Sequence, residues 1–121
     1  MSTNSHVIAI GTNALAIGTG TNNIAIGEST MSGAVVGANN IAIGQSAEDV
    51  LTDGACNIAI GLHAHGAGTT GNNNVAIGKS ALALVTVGGQ NVAIGSDAMA
   101  GATTHVNLNN AVAIGTCASV S

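Results

Sequence analysis

A short string, an aliphatic residue followed by Ala-Ile-Gly, occurs eight times in this chain of 121 residues. Its last glycine returns at one constant interval, as Gly27, Gly44, Gly61, Gly78 and Gly95, which is a period of 17. A second glycine and an asparagine keep the same period. These second glycines are Gly20, Gly37, Gly54, Gly71 and Gly88, and the asparagines are Asn23, Asn40, Asn57, Asn74 and Asn91. Columns that keep one register over this length identify a repeat protein with the unit Gly-x-x-Asn-[Ile/Val]-Ala-Ile-Gly-x-x-[Ala/Thr].

The residues of this unit predict one coil of a parallel β-solenoid. Its two branched residues are two apart, so they face one side of a strand, and the alanine between them faces the other. Glycine and asparagine recur too often for a helix. We expect two short strands per unit, the second near Ala81 and Leu82, joined by two glycine corners. Stacking then gives two branched columns: Ile24, Ile41, Ile58, Val75 and Val92 in the first, and Ile26, Ile43, Ile60, Ile77 and Ile94 in the second.

The same columns predict how the coils are held together. Stacked asparagines can hydrogen-bond to one another and to the backbone of the turns. The branched columns supply apolar burial, but the chain holds no Phe, Tyr or Trp, so the interior is thin. Because ordering the backbone costs about 1–2 kcal/mol per residue, one such solenoid is expected to need partner chains. Alanine on the other strand face would let those neighbours approach closely.

Composition excludes several classes of function. A net charge of −4 with one basic residue cannot provide the cationic surface that nucleic acids and anionic membranes require. The longest apolar run, residues 81–85, is far too short to span a bilayer. We expect no enzyme activity and no cofactor, because neither a candidate catalytic triad nor an aromatic platform for a sugar can be identified. We also expect no ice-binding threonine ladder, since four threonines are assigned to different columns: Thr21, Thr52, Thr86 and Thr116.

Two histidines have a spacing that could bind a metal. His63 and His65 would face the same side of a strand, and a threefold axis would gather six imidazoles around a transition ion. The alternative, which we favour, is an exposed corner, because His63 falls in the same column as Ser80. His6 and His105 are expected to be ordinary surface residues.

Acidic residues and cysteines also form candidate sites. Glu48, Asp49 and Asp53 cluster in a variable stretch, but calcium requires six to eight oxygen ligands, so a solvated loop is favoured. Cys56 and Cys117 are widely separated in the chain. They predict two buried or half-buried thiols rather than a disulfide framework or a zinc site.

The string Asn-Asn-Ile-Ala-Ile-Gly-x-x-Ala resembles the head repeat of trimeric autotransporter adhesins, the YadA-like heads, over about residues 7–118. The resemblance implies a left-handed parallel β-roll in which three chains pack about a threefold axis. The period of 17 is longer than is common in that family, so a longer outer loop is expected. The unit is also similar to repeats of bacteriophage tail fibres and other virion surface proteins. The chain starts at Met1 and shows no export signal, stalk or anchor, which favours the virion setting and synthesis in the host cytoplasm.

We therefore expect an all-β, left-handed parallel β-roll or β-solenoid that has one coil per repeat period and assembles as a homotrimer. Residues 1–121 would form one domain, with the repeat core at about 7–118 and irregular capping coils at 1–20 and 96–121. The predicted function is a non-enzymatic decoration or cement protein that binds the major capsid protein or another virion protein of a bacteriophage head. The alternative is a tail-fibre or cell-surface adhesin module that binds a host. The short chain and its lack of aromatic residues favour the first.

Overall fold

The chain forms a parallel β-solenoid in the computed structural model, which describes residues 6–101 and 107–120. Seven short strands form one sheet whose order follows the chain, and no helix occurs in the described residues. The strands are β1 (Ile8–Ile10), β2 (Ile24–Ile26), β3 (Ile41–Ile43), β4 (Ile58–Ile60), β5 (Val75–Ile77), β6 (Val92–Ile94) and β7 (Val112–Ile114). From β2 to β6, residues one repeat period apart are paired. The predicted all-β solenoid with one coil per period is therefore confirmed.

Each coil contains one strand, not the two that we expected. The segment assigned to the second strand turns tightly, because Ser80 and Leu82 have φ values of 56° and 53°. The second copy of the repeated string, residues 15–18, is not a strand either. Its Leu15 has a φ of 46° and occupies the corner that Met31 occupies one coil later. Eight copies of the string therefore yield seven strands.

Left-handed corners recur in three columns of residues other than glycine, with φ between 46° and 63°. The first column is His6, Asn22, Asn39, Cys56, Asn73, Gln90 and Asn110; the second is Asn13, Ser29, Ser46, His63, Ser80, Asp97 and Cys117; the third is Leu15, Met31, Glu48, His65, Leu82 and Met99. Each such residue costs about 1–2 kcal/mol. Hydrogen bonds between coils offset that cost. The Ser46 N–H donates to the Glu28 carbonyl in the preceding coil at 2.9 Å, and the Glu48 N–H donates to the Ala64 carbonyl in the following coil at 3.0 Å.

The strands turn their alanines inward and their branched residues outward. Five central alanines are fully buried: Ala25, Ala42, Ala59, Ala76 and Ala93. We expected the branched columns to fill the interior and the alanines to face neighbouring chains, and this orientation is wrong. The third corner column brings large side chains such as Met31 and Leu82 into the same core. The narrow coil then has room for only a methyl group from the strand.

A buried asparagine precedes each strand from β2 to β6, and its side chain bonds to the backbone of the following coil. The Asn57 Oδ1 accepts a hydrogen bond from the Asn74 backbone N–H at 2.9 Å, and its Nδ2 donates to the Gly71 carbonyl at 2.8 Å. A Cβ on Gly71 would lie 2.2 Å from the Gly88 carbonyl oxygen, so only glycine fits at this corner. The same pattern repeats along the asparagine column. It satisfies buried backbone groups that no strand pairing reaches.

We predict that Asn57→Ala lowers the free energy of unfolding by about 3 kcal/mol, because it leaves two buried backbone groups unpaired. Gln45→Ala is the matched control, since it removes an exposed amide from the preceding coil. Urea unfolding of both variants measures the difference. Equal stabilities would contradict a structural role for the buried asparagine column.

Candidate assembly surface

The outer face of the sheet is a continuous apolar strip. Two columns of branched side chains line it, one from the first and one from the third residue of every strand. The first column is Ile8, Ile24, Ile41, Ile58, Val75, Val92 and Val112, and the second is Ile10, Ile26, Ile43, Ile60, Ile77, Ile94 and Ile114. At a strand spacing of about 4.8 Å the strip is roughly 29 Å long. We call these two columns the assembly surface.

The side chains of the assembly surface are only partly covered. Ile43 and Ile60, near the middle, are 36% and 37% exposed, and Ile114 at one end is 68% exposed. Parallel sheets are normally covered on both faces. Here the core of the solenoid covers the inner face alone. A large contiguous apolar patch on a protein surface marks an interaction site, and this strip is the strongest such feature of the described residues.

The two histidines with metal-ligand spacing diverge. His63 is exposed, whereas His65 is 1% exposed and lies in the core. Both have left-handed φ values, 55° and 50°, so they belong to a turn rather than a strand. The metal-site hypothesis that they share a side on a strand is therefore wrong, and the exposed corner that we favoured is confirmed for His63 but wrong for the buried His65. No group of three or more His, Cys, Asp or Glu that could hold a metal ion occurs in the described part of the chain.

The acidic cluster divides in the same way. Glu48 is fully buried, Asp49 is half-buried and accepts a hydrogen bond from the Ser32 hydroxyl, and Asp53 is exposed. The solvated loop that we expected is thus wrong for Glu48. Its Oε1 lies 3.3 Å from Nδ1 of His65 in the next coil. Burial raises the pKa of the Glu48 carboxyl, and the hydrogen bond and charge of His65 oppose that rise.

A sequence signal for this pair exists but is not local. Glu48 and His65 are one repeat period apart and share the third corner column with Met31, Leu82 and Met99. All five side chains are buried. Extending the register of the repeat to this column would have assigned both polar residues to the core.

Two further expectations are corrected. Cys56 and Cys117 are free and exposed, not buried, because each occupies a left-handed corner facing solvent. Thr52, Thr69 and Thr86 follow one another at the repeat period and do form a column. The hydroxyls of Thr52 and Thr69 each donate to the carbonyl of the next threonine at 3.1 Å, so they join coils.

The remaining predicted positions are less informative. His6 is exposed, as expected. His105 lies outside the described residues. Within residues 6–101 and 107–120, nothing has the helical length and apolarity needed to cross a bilayer. Neither the two cysteines nor the two histidines form a site together. The assembly surface is therefore the candidate functional site.

Comparisons of this chain with protein-family models, with curated proteins and with solved structures find no match. The repeat and the architecture that it produces are therefore the basis for assigning a role.

Proposed function

We propose that this chain is a non-enzymatic structural protein in which three solenoids pack their assembly surfaces together, and that the trimer decorates and cements a bacteriophage head. The uncovered assembly surface is the observation that carries the proposal. It supports a role based on contact between chains, and the described residues contain no cluster suited to metal chemistry.

The energetics of the strip favour self-association. Burying a branched aliphatic side chain completely is worth about 1.5–3 kcal/mol, so covering its exposed part contributes roughly 1 kcal/mol. Two such residues from every strand add this gain along the whole length of the sheet. The strands carry no charged side chain, so nothing on the strip must be desolvated at high cost.

A threefold arrangement agrees with the shape of the strip. In a ring of three, each chain meets its two neighbours through different parts of one surface. The assembly surface has two columns, which would provide one column for each neighbour. The resemblance to trimeric adhesin heads supports the same arrangement and the left-handed winding of the coils.

A cement role is favoured over receptor binding by the side chains outside the strip. Binding hot spots are rich in Trp, Tyr and Arg, whereas the chain has no aromatic residue and its single basic residue is Lys79. The outward corner columns carry short polar groups such as Asn39 and Ser46. Such a surface suits extended contact with a protein shell. The resemblance to virion surface repeats supports placing that contact on a bacteriophage particle.

We predict that the purified protein has three times the chain mass of 11.5 kDa in light scattering. Ile60→Asp should dissociate it, because three carboxylates would enter an apolar seam without partners. Leu84→Asp is the matched control: Leu84 is 46% exposed but lies between β5 and β6, off the assembly surface. A folded wild-type monomer, or a trimeric Ile60→Asp with unchanged melting, would contradict the proposed interface.

We further predict that particles lacking the protein assemble and adsorb to cells normally but release their genome at lower temperature. A ligand that binds only the assembled shell stabilises that state, so adding back the trimer should restore heat resistance. Genome release on heating and adsorption are measured on the same particles. Failure to adsorb with normal heat resistance would instead identify a fibre or adhesin module.

A further inference from the structure

We propose that the Glu48–His65 pair is a proton-dependent switch inside the solenoid: the coils that follow β3 and β4 stack tightly while the two side chains share one titratable proton, and they loosen when that proton is lost. The pair lies in the core, away from the assembly surface, so this proposal is independent of the trimer and of its role on a particle.

The geometry isolates the pair from solvent. Glu48 and His65 are 0% and 1% exposed, and only Oε1 and Nδ1 approach each other, at 3.3 Å. Within the described residues, Oε2 of Glu48 and Nε2 of His65 have no hydrogen-bond partner. The neighbouring members of the corner column are Met31 on one side and Leu82 on the other, and both are fully buried. The pair is thus a polar interruption of an apolar column.

The His65 ring fills space that is left free because residue 68 is a glycine. Gly68 is equivalent in the repeat to Leu51 in the preceding coil and to Val85 in the following coil, and both of these residues are buried in the core. A Cβ on Gly68 would lie 2.3 Å from Nε2 of His65. The ring therefore occupies the space that a larger residue at position 68 would need. His65 cannot swing away from Glu48 without leaving a cavity.

Only one protonation state leaves this site electrically neutral. With one shared proton, either the carboxylic acid donates to the imidazole or an imidazolium faces a carboxylate, and the net charge is zero. Removing the proton leaves a buried carboxylate beside a neutral ring, and adding a second leaves a buried imidazolium beside a neutral acid. An uncompensated charge in an apolar interior costs several kcal/mol.

Among the described residues, no other buried charge lies beside the pair to compensate for these states. The other titratable side chains of these coils and of the coils on either side are exposed or half-buried: Glu28, Asp49, Asp53, Cys56, His63 and Lys79. Asp49, the neighbour of Glu48 in sequence, accepts a hydrogen bond from the Ser32 hydroxyl. The other buried side chains of these coils are apolar or are uncharged Thr and Asn side chains, so none of them carries a charge.

The pH dependence follows from the Glu48 carboxyl. Its pKa in the folded chain is raised by burial above the value of about 4.3 typical of an unfolded chain. Above that unfolded value the folded state holds more protons than the unfolded state. The stability contributed by the protonated acid is therefore complete below about pH 4.3 and is lost as the pH rises through the folded pKa.

The test compares wild type with Glu48→Gln, in the assembled protein at one fixed concentration, by thermal unfolding from pH 5 to pH 9. Glutamine keeps the shape and donates an N–H to His65 but cannot ionise. We expect the wild-type midpoint to fall by about 5 °C or more relative to Glu48→Gln as the pH rises. Curves that stay parallel over the whole range would overturn the proposal.

A second variant converts the column to its apolar form. This triple variant carries Glu48→Met, His65→Leu and Gly68→Val. The methionine copies Met31 of the preceding coil, and the leucine and valine copy Leu82 and Val85 of the following coil. It should unfold at or above the wild-type temperature, without the alkaline decline. A decline equal to that of wild type would assign the pH dependence to other groups.

Amide hydrogen exchange locates the loosening. The His65 N–H donates to the Ala81 carbonyl at 2.8 Å, and the distant Val92 N–H donates to the Ala111 carbonyl at the same distance. The exchange rate of wild type divided by that of Glu48→Gln should rise several-fold with pH at His65 and stay constant at Val92. An equal rise at both amides would indicate global unfolding and contradict a local switch.

Discussion

The close stacking of one coil's backbone on the next is the constraint on which the other features depend. At Gly71 the carbonyl of the following coil approaches so closely that no side chain fits, and a carbonyl at this corner cannot reach a strand partner. The buried Asn57 accepts a hydrogen bond from the Asn74 N–H and donates one to the carbonyl of Gly71 itself. Glycine and asparagine therefore recur together, because each makes the other necessary. The period of the repeat is constant because every coil needs these two residues at the same positions.

The narrow interior that results determines which surface remains free. Large side chains enter the core from the third corner column, as Met31 and Leu82 do, so the strand can contribute only Ala59 and its equivalents. The branched residues that favour a strand conformation must then point outward. An apolar outer face is thus a consequence of filling a small coil. The apolar surface that we propose drives assembly therefore results from how one solenoid packs its own core.

The sequence predicts the repeat, the strand positions and the asparagine contacts, because these rest on residue types with few conformational alternatives. It does not predict which face of the strand is inside. Successive side chains of a strand point to opposite faces, so Ile60 and Ala59 must differ, but this rule does not determine which of them is buried. Left-handed corners at Ser80 and Leu82 are missed because these residues rarely adopt that conformation. Glu48 is missed because its local neighbours, Asp49 among them, are typical of a solvated loop. In each case the deciding information lies in the next coil, one full repeat further along the chain.

The assembly surface and the buried pair act on different parts of the same coil. Ile60 projects outward from β4, while His65 projects inward from the corner that follows it. Residues 61–64 separate Ile60 from His65 in the chain, and the two side chains lie on opposite sides of the coil wall, so we expect little direct coupling between them. Effects of well-separated substitutions usually add. A variant carrying both Ile60→Asp and Glu48→Gln should therefore lose assembly and alkaline sensitivity as a simple sum, and a clear departure from additivity would reveal that assembly tightens the coil around the buried proton.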